Sequence, residues 1–158
     1  MSEQKKIKPK IEDVGQYLTP DRAAAMLSLV EFVRANKIGV QHNSGQSWKL
    51  TCKGKGIGAL HIHDGTWRFA QNCAYIHKYY EMEEGDLKSF AFDHIYAKTC
   101  GDCQWNPSAQ KAGYMNPTGC GCWPLRIFNP DGEVLEYTKQ LIEYMKNCVI
   151  EEWQAAKS

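Results

Sequence analysis

The apolar positions of this chain run first with a helical period, then in strict alternation, then with a helical period again. Thr19-Pro20-Asp21-Arg22 supplies an N-cap, a proline at the first helical position and an acid in the first turn. Ala23, Leu27, Val30 and Val33 follow at helical spacing, which predicts a helix over about 20–36. From Gly45 to Ala70 the period becomes two, the pattern of strands with one buried face. Trp48, Leu50 and Cys52 alternate with Lys49, Thr51 and Lys53, and Gly54-Lys55-Gly56 reads as a turn. Leu60 and Ile62 then alternate with His61 and His63 up to Asp64-Gly65, a pair suited to a two-residue type I′ hairpin, with Trp67 and Phe69 beyond it. With that loop, His63 faces Thr66, Ile62 faces Trp67, His61 faces Arg68 and Leu60 faces Phe69. This register puts every large apolar residue on one side of the ribbon and every polar one on the other.

Cys73 to Tyr80 is aromatic-rich without a clear period, and Glu81 to Gly85 reads as a break. Leu87, Phe90, Ala91, His94 and Ile95 then form an apolar stripe that predicts a helix over 86–98. Residues 104–119, rich in Pro, Gly, Asn and Gln, read as an irregular loop, and Leu125 to Phe128 as a short strand. Asn129-Pro130-Asp131 opens a last helix over 130–153, with Val134, Leu135, Thr138, Leu141, Ile142, Met145, Cys148 and Val149 on one face. The expected fold is therefore α+β: an antiparallel sheet of three to four strands packed against about three helices, with a cysteine-clustered loop over 100–122. Residues 1–12 lack any period and read as a flexible tail; 13–158 form a single domain.

Composition narrows the class. A chain of 158 residues with 43% hydrophobic side chains suits one core. No run of about eighteen apolar residues and no secretory leader is visible, so a soluble cytoplasmic protein is expected. In a reducing cytosol, seven cysteines point to metal or redox use before disulfides. Net charge is only +1, but residues 45–70 hold four cations against Asp64, while 130–158 hold six acids against three lysines. That asymmetry suggests an electrostatic face, far short of the balance typical of nucleic-acid binders.

The strongest chemical signal is Cys100-x-x-Cys103, sixteen residues, then Cys120-x-Cys122. Two close thiol pairs brought together make a tetrahedral thiolate set, which favours a structural zinc ion on Cys100, Cys103, Cys120 and Cys122. Glycines at 101, 119 and 121 let the backbone turn tightly there. Thiol redox chemistry competes for the same residues. Reactive pairs favour helix N-termini, however, and Cys100 follows a predicted helix C-terminus, where a thiolate is disfavoured. Four unliganded thiols are the third reading. The expected role is a structural zinc-binding domain that binds a small molecule or protein partner, without catalytic residues.

His61-x-His63 sets two imidazoles about 7 Å apart on one strand face, a spacing some metal enzymes use. No Asp or Glu shares that face, and nothing in the sequence fixes where His77, a possible third ligand, points, so exposed sheet residues explain them better. Lys49, Lys53, His61, His63 and Arg68 also form a candidate anion or ligand face, the third function class after zinc binding and thiol chemistry. No P-loop, dinucleotide fingerprint or RNA-recognition motif accompanies them, and Gly54-x-Gly56-x-Gly58 lies between strands as turn chemistry. Most of Trp48, Trp67, Phe69, Tyr75, Tyr79, Phe90 and Trp123 read as core rather than a ligand cavity, as do His94, Cys52 and Cys148.

Trp48-Lys49-Leu50 with Lys53-Gly54-Lys55, the Asp64-Gly65 hairpin with Trp67, the cysteine-rich loop, and Pro124-Leu125-Arg126-Ile127 leading into Asn129-Pro130 form a combined pattern. Over about residues 45–150 it resembles small bacterial proteins, common in anaerobic Firmicutes, that join a helix, a β-meander, a cysteine-bearing loop and a long C-terminal helix. The resemblance implies that architecture and no activity.

Overall fold

The computed structural model describes residues 8–71, 77–95 and 125–157. A 3-10 helix, Ile11–Gln16, leads into α1, Pro20–Ala35, and then into the strands β1 (Gly39–Ser44), β2 (Ser47–Cys52), β3 (Lys55–His63) and β4 (Thr66–Gln71). The short α2 (His77–Tyr80) and α3 (Asp86–Asp93) precede β5 (Leu125–Phe128) and the 26-residue α4 (Gly132–Lys157). The strands form one antiparallel five-stranded sheet in sequence order, so the α+β class holds with more strands than the alternation predicted.

The additional strand is β1. Val40 is its one large aliphatic residue, the remainder being polar or glycine, so alternation gave no signal there. It is an edge strand, mostly exposed, held by pairing Val40 with Leu50 and His42 with Trp48. The predicted β3–β4 register is the observed one: His63–Thr66, Ile62–Trp67, His61–Arg68 and Leu60–Phe69. Asp64 and Gly65 have φ of 48° and 74°, the left-handed pair a type I′ turn requires. The glycine-rich stretch before β3 divides differently from expectation. Lys53 and Gly54 (φ 50° and 76°) make the turn, while Gly56 and Gly58 belong to β3 on either side of a bulge.

One sheet face carries Trp48, Leu50, Leu60, Trp67, Phe69, Leu125 and Ile127, each 2% exposed or less. The helices supply the opposing layer. α1 buries Ala23, Met26, Leu29, Val30 and Val33, with Leu27 only partly covered, and α4 buries Leu135, Thr138, Leu141, Ile142, Met145 and Val149. Thr138 sits in this stripe because its hydroxyl donates to the Val134 carbonyl at 2.7 Å. The stripe continues to Val149, and the helix runs to Lys157 rather than stopping near 153. The other end corrections are local. Ile11, expected in the tail, is 3% exposed and packs with Val14 and Leu18. α3 ends at Asp93 instead of 98, because Ile95 leaves the helix to form an antiparallel bridge with Leu125, and the Arg126 amide donates to the His94 carbonyl at 3.0 Å.

A buried polar relay joins α2 to the sheet. Gln71, 2% exposed, donates from Nε2 to the Ile57 carbonyl at 2.7 Å and accepts the Tyr79 hydroxyl at Oε1. Tyr144 on α4 donates to the Lys78 carbonyl at 2.8 Å, so α2 is tied from both sides. These bonds satisfy groups that would otherwise be costly to bury.

Gly58 lies against the fully buried Phe69. A Cβ added there would sit 2.5 Å from Phe69 Cε2, in a core with no room for the ring to move away. Gly58→Ala is therefore expected to destabilise the protein by about 1–3 kcal/mol, read as a lower midpoint in urea unfolding. An unchanged midpoint would mean that the β3–β4 packing is looser than described.

Candidate functional site

Alternation that buries one sheet face delivers the opposite side chains to the other face in two cross-strand rows. The first row runs Gln41, Lys49, Ala59, Ala70 and Arg126; the second runs Ser47, His61, Arg68 and Phe128. With strands about 4.8 Å apart, Lys49 and Arg126 bracket two alanines from roughly 14 Å. Ala59 and Ala70 are 2% and 0% exposed, Phe128 is 48% exposed, and no carboxylate stands in either row. Lys49 lies beside Gly56, where a Cβ would come within 2.8 Å of Lys49 Cε. A side chain at 56 would push that lysine aside.

His61 is half-buried, and its pKa lies below the usual 6.5, first because burial penalises the imidazolium and second because the Arg68 charge is beside it. Arg68 in turn places its guanidinium carbon 6.0 Å from the Phe128 ring centroid. Its Nε is buried without a hydrogen-bond acceptor among the described residues. Near neutral pH the face therefore presents Lys49, Arg68 and Arg126 as its cations, with His61 neutral.

The sequence grouped five residues on this face, and the structure divides them. Lys49, His61 and Arg68 share it. His63 is at the strand end, with Nε2 3.2 Å from Asp64 Oδ2 and both side chains more than four-fifths exposed, so it belongs to the hairpin tip. Lys53 leaves the face altogether, because its left-handed turn conformation carries Nζ to 4.5 Å from the Trp153 ring centroid on α4. Arg126 is the residue that sequence reasoning missed. Its signal was its place between Leu125 and Ile127, which sends it to the face opposite those two once β5 pairs with β4.

Among the described residues no three His, Cys, Asp or Glu side chains converge in a way that would hold a metal ion, so His61 and His63 gain no third ligand there. The His77 side chain, Cys73, and the four cysteines Cys100, Cys103, Cys120 and Cys122 lie outside the described residues. Cys52, 5% exposed on the core face, and the partly buried Cys148 are free thiols. Burial raises the Cys148 thiol pKa, and the neighbouring Tyr144 hydroxyl and Lys78 only partly oppose that, which makes it a poor nucleophile. His94 caps α3, with Nδ1 2.8 Å from the Phe90 carbonyl.

No protein-family model matches this sequence, and neither curated proteins nor solved structures give a match. No helix among the described residues is long and apolar enough to cross a membrane.

The depressed His61 pKa has a measurable consequence. In the unfolded chain this histidine charges near 6.5, whereas in the fold it charges only at lower pH, so the unfolded state binds more protons as pH falls through that window. Stability is thus expected to decline between about pH 7 and pH 5, and His61→Gln should reduce the decline in thermal unfolding at those pH values. An identical decline in the variant would show that His61 is as readily charged in the fold as in the unfolded chain. His63→Gln serves as the exposed control.

Proposed function

We propose that this chain is a structural zinc-binding domain, with Cys100, Cys103, Cys120 and Cys122 as the thiolate ligands, whose role is to bind a small molecule or protein partner in the cytoplasm. One observation outside the cysteines supports the reading. The residues that flank the cysteine-bearing segment are held together, Ile95 bridged to Leu125 and the Arg126 amide bonded to the His94 carbonyl. Cys100 is five residues beyond Ile95 and Cys122 three before Leu125. At no more than about 3.6 Å per residue, both pairs start within roughly 20 Å of one anchored point. With those ends already held, less chain entropy remains to be lost when the two pairs meet, which favours a metal clip over four separate thiols.

The sheet face ranks behind the thiols. It offers Lys49, Arg68 and Arg126, but Lys53 lies off it beside Trp153, and burial lowers the His61 pKa further below neutrality. Kinship with the small bacterial proteins of similar layout belongs to the same proposal and rests on the sequence pattern alone.

Protein purified without chelator is expected to carry about one zinc ion per chain in elemental analysis and native mass spectrometry. Cys100→Ser combined with Cys120→Ser should abolish that stoichiometry and lower the melting temperature. Alkylation of the four thiols should be slow until chelator is added. Metal-free protein in which Cys103 or Cys120 alkylates rapidly would replace zinc binding with thiol redox chemistry.

A further inference from the structure

A cleft of about 300 Å³ lies between the C-terminal end of α1, the β2–β3 turn and the last turns of α4. Lys37, Lys53 and Lys146 line it together with Asn36, Trp153 and Cys52, and no carboxylate does. None of the three lysines takes part in an ion pair among the described residues. We propose that this cleft binds a small phosphate-bearing anion through Lys37, Lys53 and Lys146.

Two features separate this cluster from an ordinary solvated surface. The first is backbone strain. Lys37 and Lys53 are two of four non-glycine residues with positive φ among the described residues, at 60° and 50°. Lys37 occupies the position after the α1 cap, where the Ile38 amide reaches back to the Val33 carbonyl at 2.9 Å; glycine is the usual residue there. Lys53 stands first in a type I′ turn, where asparagine is the favoured residue. Both lysines are thus held in a conformation that costs free energy, and both edge the same cleft.

The second feature concerns the helix end. Lysines at a helix C-terminus often serve to neutralise its carbonyls. At α1 three of those carbonyls are already taken: Phe32 accepts from the Asn36 amide and Nδ2, Val33 from Asn36 and Ile38, and Arg34 from Lys37. Lys146 Nζ donates to Asn36 Oδ1 at 3.2 Å, which holds it at the cleft without neutralising its charge. Trp153 keeps Lys53 in place through its ring face. Three ammonium groups with no acid between them suit a doubly charged oxyanion. The volume is at the low end for ligand pockets, which suits a phosphate or diphosphate group rather than a large ligand.

The test exploits the strain. Lys37→Gly combined with Lys53→Asn replaces each lysine with a residue its backbone prefers, so the variant is expected to melt no lower than the parent and up to about 4 °C higher. Titration calorimetry of the full chain with inorganic pyrophosphate should show saturable, salt-sensitive binding, weakened at least tenfold in the variant, about 1.4 kcal/mol per factor of ten. ADP in a parallel titration identifies the source of the phosphate: tighter binding than pyrophosphate points to a nucleotide, equal binding to the free anion. Lys49→Ala with Arg68→Ala on the sheet face should leave binding intact. No saturable binding by the parent protein, full binding by the Lys37→Gly, Lys53→Asn variant, or loss of binding in the sheet-face variant would each overturn the assignment. Zinc content should be the same in all variants, so failure here leaves the thiol site standing.

Discussion

The register of the β3–β4 hairpin is the constraint on which the rest of the molecule depends. Two left-handed residues, Asp64 and Gly65, fix it, and a slip of β4 by one residue against β3 would send Trp67 and Phe69 to the polar face and Arg68 into the core. Each of those large apolar side chains contributes roughly 1.5–3 kcal/mol by leaving water, so the alternative register is strongly excluded. The neighbouring strands inherit the choice. β2 sets Trp48 opposite Leu60, and β5 sets Ile127 opposite Phe69, and both extend the same apolar face.

The helices follow from that face. α1 and α4 bring stripes spaced at three and four residues onto it, and Arg22 at the start of α1 donates to the Gly65 carbonyl at 2.7 Å, joining the helix to the turn that sets the register. Asn129 does the same for α4. Its amide donates to the Trp67 carbonyl at 2.7 Å and its side chain accepts from the Trp67 amide at 2.9 Å, so the last helix leaves the sheet from a defined point. The cleft at the far end of α4 and the cationic sheet face are both by-products of this arrangement. One is where α1 and α4 meet the β2–β3 turn; the other is what alternation leaves outside.

Much of the architecture was legible because burial leaves a period in the sequence. The Asp64-Gly65 hairpin, the strand Leu125–Phe128 and the helix opening at Pro20 agree with their patterns to the residue. β1 was not legible, since an edge strand with Val40 as its one large aliphatic residue carries no alternation. The end of α3 was misread because Ile95 fits a helical stripe and a strand bridge equally well, and only its pairing with Leu125 decides between them. Of the candidate face, Lys49, His61 and Arg68 were placed correctly and Arg126 was missed. The anion cleft was invisible, because Lys37, Lys53 and Lys146 are far apart in sequence and share no motif.

Local chemistry along the chain determined the periods, the caps, the hairpin turn, and the close spacing within each cysteine pair on which the proposed metal site rests. All of these depend on residues within a few positions of one another. Tertiary structure decided which cations share a surface, that Lys53 turns away to Trp153, that burial and Arg68 lower the His61 pKa, and that the two ends of the cysteine-bearing segment meet at Ile95 and Leu125. Those outcomes rest on distances between residues remote in sequence, and no local period encodes such a distance.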